Sequence, residues 1–109
     1  MDYKAKFELV DNGKASFCHE AMELVKCIDI QKSVKEAAVP LDISTAKAWK
    51  YIRAIEKYLR EAAIVKSKKG GSDDYDVHIS PACRGLLEKY AAFEAKSEEA
   101  VKEIFDQIF

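Results

Sequence analysis

The chain has 109 residues, which is enough for one domain with a hydrophobic core and too few for two domains of ordinary size. Hydrophobic residues make up 49% and charged residues 34%, as in globular proteins, and no apolar run is long enough to span a membrane. The net charge of −1 excludes a uniformly basic protein, so any DNA-binding surface must arise from local clustering of lysine and arginine. Without a recognisable signal peptide, we expect a cytoplasmic protein that makes no membrane contact.

The first 18 residues are predicted to form a β-hairpin. Apolar and polar residues alternate over residues 3–9, which is the period of a half-buried strand. Asn12-Gly13 favours a two-residue turn, and the alternation resumes over residues 15–17. From residue 19 to residue 30 the apolar spacing becomes helical, which predicts a helix that packs beneath the segment after it.

Residues 33–59 are predicted to form a short helix, a tight turn and a longer helix. Ser33 and Glu36 have the spacing of a capping box at the start of the short helix. Pro40 is expected to end that helix, and Asp42 suits a turn position with positive φ. Ser44 is the expected N-cap of the longer helix. With the helix over residues 19–30, this pair completes a three-helix core spanning residues 19–60.

The longer helix separates into an apolar face and a basic face at about 100° per residue. The face expected to be buried carries Ala48, Trp49, Ile52, Ile55 and Leu59. The opposite face combines small and basic residues without an acid: Ala46, Lys47, Lys50, Arg53, Ala54 and Lys57. Small residues allow close approach to a polyanion, and the cations attract its phosphates, so this face favours DNA binding over an ordinary solvated surface.

Residues 62–79 are predicted to form a second hairpin, or wing, directly after the longer helix. Its loop begins with Lys66, Lys68, Lys69, Gly70 and Gly71, which suit contact with a phosphate backbone. The second part of the loop contains Asp73, Asp74 and Asp76, which repel phosphates and weaken that contact.

The last predicted helix covers residues 81–109, with Ser80 as its N-cap and Pro81 in its first turn. At about 40 Å it is longer than the rest of the domain can cover. Its apolar stripe continues to the end, so we expect a homodimer rather than a helix that folds back on its own domain. The expected interface consists of Tyr90, Phe93, Val101, Ile104, Phe105 and Ile108.

Nothing in the sequence favours an enzyme, a cofactor or a metal site. The three cysteines are odd in number and lack C-x-x-C spacing, which is typical of core thiols in a reducing compartment. A zinc site built from Cys18, His19, His78 and Cys83 has the right donor types but no supporting spacing. Trp49 is expected in the core, and no nucleophile–base pair or phosphate-binding loop can be assembled.

Several of these segments together resemble the N-terminal winged-helix domain of ModE-type, molybdate-responsive regulators, which is itself similar to LysR-type DNA-binding domains. The resemblance covers roughly residues 5–95. Its more specific parts are Ala48-Trp49 in the second helix of the pair, and Gly70-Gly71 followed by Ile79-Ser80-Pro81.

The resemblance implies a winged helix-turn-helix fold, mainly α with small β-hairpins and a long C-terminal helix. From the chain length we expect residues 1–109 to form a single domain. The resemblance also implies a transcriptional regulator that binds double-stranded DNA through the segment matched by Ser44, Thr45, Ala46, Lys47 and Lys50. Together with the basic face and the wing, the full set of expected contacts is Ser33, Ser44, Thr45, Ala46, Lys47, Lys50, Arg53, Lys57, Lys66, Lys68, Lys69, Gly70 and Gly71. The family's separate molybdate-binding region has no counterpart in these 109 residues, so no molybdate site is expected here. The alternative is a winged-helix domain that has lost DNA binding and acts as a protein interaction or dimerisation module.

Overall fold

The computed structural model describes residues 1–68 and 75–109. Its elements, in chain order, are β1 (Glu8–Asp11), β2 (Lys14–Cys18), α1 (His19–Gln31), α2 (Val34–Ala38), α3 (Thr45–Leu59), β3 (Ile64–Lys68), β4 (Tyr75–Ile79) and α4 (Pro81–Ile108). The strands form two separate antiparallel hairpins, β1–β2 and β3–β4. The prediction of a helical domain with two small hairpins and a long final helix is therefore confirmed. None of the described helices is both long and apolar enough to cross a membrane.

The first hairpin turns at Asn12 and Gly13, which both have positive φ, as a two-residue hairpin turn requires. The prediction that its first strand begins near residue 3 was wrong, because β1 covers only Glu8–Asp11. The residues before it instead follow α4, where the Tyr3 ring lies 4.7 Å from that of Phe105. Residues 3–6 are exposed and Phe7 is partly buried, so the alternation in this segment does not mark a buried strand face. The segment contacts a helix and not another strand.

Three serine side chains cap helices at the predicted positions. Their hydroxyl oxygens accept backbone N–H bonds as follows: Ser33 from Glu36 at 3.2 Å, Ser44 from Lys47 at 3.0 Å, and Ser80 from Cys83 at 3.1 Å. Between α2 and α3 the chain turns at Asp42, whose φ is 53°, and α2 ends at Ala38, two residues before Pro40. These bonds involve neighbours three residues apart, so the local sequence determines where the helices begin.

The core lies where α1, α2, α3 and β2 meet the first turns of α4. Its members include Phe17, Leu24, Ile28, Ala37, Ile52, Ile55 and Tyr90. Trp49 was wrongly predicted to belong to it, because its side chain remains 36% exposed. On α3 the core contacts are centred on Ala48, Ile52 and Ile55, and at about 100° per residue Trp49 stands at the edge of that face.

The second hairpin follows α3 after a left-handed residue, Arg60, and its first strand is Ile64–Lys68. The predicted hairpin began two residues too early, at residue 62, because Ala63 belongs to a buried connection and its N–H donates to Glu56 Oε2 at 3.0 Å. The Val77 N–H donates to the carbonyl of Lys32 at 3.0 Å, which attaches the hairpin to the end of α1.

The final helix, α4, has 28 residues and is therefore about 42 Å long. Only its beginning contributes to the core, through Cys83, Leu86 and Tyr90. The Arg84 guanidinium holds this end against α1 by a 2.7 Å bond to Asp29, and this bond keeps the pKa of Asp29 below its ordinary value. The far half continues away from the core, so the molecule measures 61 × 28 × 22 Å.

Candidate nucleic-acid interface

The outer face of α3 carries four of the predicted DNA-binding residues in one line. Ala46, Lys50, Arg53 and Lys57 are all exposed. They lie within about 60° of one another on the side of the helix opposite Ala48, Ile52 and Ile55. We call these four residues the basic strip. The helix's own acid, Glu56, points elsewhere, because its carboxylate accepts the N–H of Ala63.

The three cations of the basic strip have no carboxylate partner in the part of the chain that the structure describes. In residues 1–68 and 75–109, no carboxylate forms a salt bridge with Lys50, Arg53 or Lys57. An exposed cation without a carboxylate partner keeps its full attraction for a phosphate, because it does not have to break an existing ion pair.

Lys47 behaves differently from the basic strip. Its ammonium lies 3.0 Å from Glu20 Oε1 on α1, and the Tyr51 hydroxyl donates to the same oxygen at 2.5 Å. The hydrogen bond from Tyr51, followed by that from Lys47, lowers the pKa of Glu20. Burial, with the bond to Glu20, raises the pKa of Tyr51. The prediction that Lys47 faces DNA as an open cation was therefore incomplete, because this side chain also joins α3 to α1.

The start of α3 offers backbone donors beside the basic strip. Thr45 and Ala46 are exposed and lie in the first turn, where backbone N–H groups have no partner inside the helix. Such groups are suited to bind phosphate. The hydroxyls of Ser33 and Ser44, by contrast, are already used as helix caps, so these two predicted contact residues mainly fix the helix starts.

The first hairpin lies along one flank of the basic strip, which the sequence did not indicate. A groove of about 650 Å³ separates β2 from α3, and Lys47, Lys50 and Arg53 are among its lining residues. A second groove, of about 510 Å³, brings Lys14 of the hairpin into the same lining as Lys50 and Lys57. Lys14 is thus an additional cation for this surface, which only the packing of the hairpin against α3 reveals.

Trp49 is the second residue that sequence reasoning missed. It lies one turn before Arg53 on α3, so the two side chains are neighbours at the edge of the basic strip. An exposed indole beside a guanidinium can contact sugars or bases, or a protein partner. The only sequence signal was its angular position, about 100° from the centre of the buried face.

Two of the five wing residues predicted to contact DNA lie in the part of the chain that the structure describes. Lys66 and Lys68 are exposed in β3, where they alternate with Val65 and Ser67 and so share one face of the hairpin. Their cross-strand neighbours are Val77 and Tyr75. The predicted contacts at Lys69, Gly70 and Gly71, and the acids Asp73 and Asp74, lie outside the described residues. Asp76 stands opposite Ser67 on β4.

The structure does not assemble the zinc site considered from the sequence. His19 Nδ1 lies 3.0 Å from Glu94, and His78 Nε2 lies 3.0 Å from the hydroxyl of Ser67. Cys83 is buried, and burial raises the pKa of its thiol to about 11. Across residues 1–68 and 75–109, no group of three or more histidine, cysteine or acidic side chains could hold a metal ion.

The residues predicted to form a dimer interface divide into two sets. Phe93, Ile104 and Ile108 are exposed along α4, and Val101 is partly exposed. Tyr90 was wrongly assigned to this surface, because it is only 1% exposed and its hydroxyl donates toward the Phe7 carbonyl at 2.8 Å. Phe105 is half-buried, and part of its surface is covered by Tyr3.

No model of a known protein family and no curated protein sequence matches this chain.

Proposed function

We propose that this chain is a DNA-binding transcriptional regulator with a winged helix-turn-helix fold similar to the N-terminal domain of ModE-type regulators. In this proposal α2 and α3 form the helix-turn-helix, and α3 enters the major groove of double-stranded DNA. The β3–β4 hairpin is the wing. The chain acts in the cytoplasm as a homodimer formed through α4.

The observation that carries the proposal is the basic strip. Lys50, Arg53 and Lys57 are exposed on one side of a helix whose opposite side is buried, and no described carboxylate pairs with them. A cation that meets a phosphate releases bound counterions, which favours binding even when the net charge of the protein is −1.

The size of the side chains supports the same orientation of α3. Thr45 and Ala46 keep the start of the helix narrow, so that its backbone can approach the edges of the bases and a phosphate can reach its first N–H groups. Lys50 and Arg53 then extend from the middle of the helix. Long cationic side chains there can reach either guanine edges or phosphates.

The surface also contains a feature that favours the second candidate, a protein interaction module. Trp49 is exposed beside Arg53, and tryptophan and arginine are the residues most enriched at the energetic centres of protein–protein interfaces. Lys47, in addition, is held by Glu20. In that case the same face of α3 binds a protein, and its cations contribute little to DNA affinity.

The salt dependence of DNA binding separates the two candidates. Each phosphate contact adds about 0.9 to the slope of log K against log salt. In a symmetric dimer each substitution acts twice, so Lys57→Ala should reduce the slope by about 1.8. When salt is raised from about 50 to 200 mM, the DNA affinity of both proteins should fall. The factor by which it falls should be roughly ten times smaller for the variant than for the wild type.

Lys102→Ala is the matched control, because it removes one exposed lysine from α4 without touching the basic strip. The slope of log K against log salt should be the same for this variant as for the wild type. Fluorescence anisotropy with labelled duplexes of mixed sequence measures both slopes. A wild-type protein that binds no duplex at about 50 mM salt would refute the regulator and leave the interaction module.

A further inference from the structure

The far half of α4 carries a stripe of apolar and small residues that its own chain covers only at one end, where the Phe7 ring makes an edge contact with Phe93 at a centroid distance of 6.0 Å. The stripe consists of Phe93, Ser97, Ala100 and Ile104, with exposed fractions of 47% for Phe93 and 55% for Ile104. The spacings of four, three and four residues are those of the a and d positions of a coiled coil. The N-terminal segment packs on a neighbouring flank, where Tyr3 meets Phe105.

The charged residues beside this stripe are self-complementary. Lys96 and Glu103 lie seven residues apart, so they occupy equivalent positions along the same edge of the stripe. Neither forms a salt bridge with any residue that the structure describes. On the other edge Glu94 is already engaged, because it lies 3.0 Å from His19 and accepts from the Tyr90 hydroxyl.

We propose that the occupant of this stripe is α4 of a second copy of the chain, running antiparallel in one defined register. Phe93 of each copy packs against Ile104 of the other, and Ser97 packs against Ala100. The two small residues lie at the centre and let the helices approach closely. In this register Lys96 of each copy faces Glu103 of the other, which gives two equivalent interchain ion pairs.

The parallel arrangement uses the same stripe less well. Equivalent residues then lie opposite each other, and an edge residue faces the residue five positions later in the second copy. Lys96 would face Val101, and Glu103 would face Ile108, so that both charges lose water without gaining a partner. The antiparallel order also separates the two cores, which pack around the beginning of α4.

This inference deepens the dimer of the proposed function, and its test contains no DNA, so the two can fail separately. Phe93→Cys and Ile104→Cys are made in separate proteins with different affinity tags. Both positions are exposed and lie outside the core, and the one ring contact that is lost is the edge contact of Phe93 with Phe7. Mixing the two proteins under mild oxidation should give a crosslinked species that carries both tags.

Each cysteine variant alone should not crosslink. In the antiparallel register its two copies of the new cysteine lie eleven residues apart, or about 16 Å. A disulfide needs Cα atoms within about 7 Å. Wild-type protein oxidised in the same way shows how much crosslinking arises from the native cysteines Cys18, Cys27 and Cys83. Crosslinking of each variant alone would establish the parallel order instead, and no crosslinking in any sample would overturn the pairing.

Charge reversal tests the register. Lys96→Glu and Glu103→Lys should each raise the dimer dissociation constant about tenfold, because each creates two like-charge contacts. Mixing the two variants should restore wild-type association, since every facing pair is then opposite in charge. Sedimentation of the separate and mixed proteins measures this. If the mixture associates no better than its components, Lys96 does not face Glu103.

Discussion

Replacing Glu20 with glutamine should change stability and DNA binding in opposite directions. Its carboxylate accepts the Tyr51 hydroxyl at 2.5 Å and holds the Lys47 ammonium at 3.0 Å. The amide oxygen of glutamine can still accept the hydrogen bond from Tyr51. Because this acceptor is neutral, the bond should stabilise the fold by about 1 kcal/mol less than the bond to the carboxylate. The partly exposed ion pair adds about 0.2–1 kcal/mol. Unfolding free energy should therefore fall by about 1–2 kcal/mol, or roughly 5–10 °C in Tm.

DNA affinity should rise in the same variant, provided that α3 binds DNA. Without Glu20 the Lys47 ammonium is free to meet a phosphate, and a contact with a slope of 0.9 contributes about eightfold to affinity at roughly 0.1 M salt. The slope of log K against log salt should steepen by about 0.9 per protomer. Thermal unfolding by circular dichroism and anisotropy with duplex DNA measure the two effects.

Glu23→Gln is the control for net charge, because Glu23 lies on the same helix and pairs with Lys26 at 3.8 Å, away from Lys47. It should change DNA affinity far less than Glu20→Gln. Equal gains from both variants would show that net charge alone is responsible. Weaker DNA binding by Glu20→Gln would refute the reasoning, because it would mean that Glu20 positions α3 for binding.

The pH dependence of this stability difference has a definite sign. The folded state lowers the pKa of Glu20 below its ordinary value of 4.5, because Tyr51 and Lys47 both favour the ionised carboxylate. The stabilisation by Glu20 is therefore fully present above about pH 4.5 and is lost as the pH falls through the lower, folded pKa. The wild type and Glu20→Gln should thus converge in stability in acid.

Three further outcomes concern the core. Trp49→Ala should cost less than Ile52→Ala, which should cost about 2–5 kcal/mol, because Trp49 is partly exposed and Ile52 is buried. Acrylamide should quench the native tryptophan fluorescence. Tyr90→Phe should cost about 1–2 kcal/mol in urea unfolding, because the Phe7 carbonyl loses the hydroxyl that donates to it. Cys83 should react with a thiol reagent only at the rate of unfolding, since it is buried and its pKa is raised to about 11.

Local sequence determined the helix starts and the turns of this protein. The caps at Ser33, Ser44 and Ser80 each join atoms of residues three positions apart, so their geometry does not depend on the rest of the chain. The turn at Asn12-Gly13 and the positive φ of Asp42 are likewise local. Helical periodicity correctly assigned Ala48, Ile52 and Ile55 to the core and the basic strip to the outside.

Tertiary structure alone decided what happens at the edges of these elements. Periodicity defines the centre of a helix face, but the width of its buried part depends on which elements pack beside it, and this left Trp49 exposed. Lys47 and Tyr51 meet Glu20 across 27 and 31 residues of sequence, and Tyr90 meets Phe7 across 83. Such contacts depend on the relative placement of whole elements, which no local pattern records. For the same reason the sequence identified the cations of α3, but only the packing of α1 and the first hairpin showed which of them remain open to a phosphate.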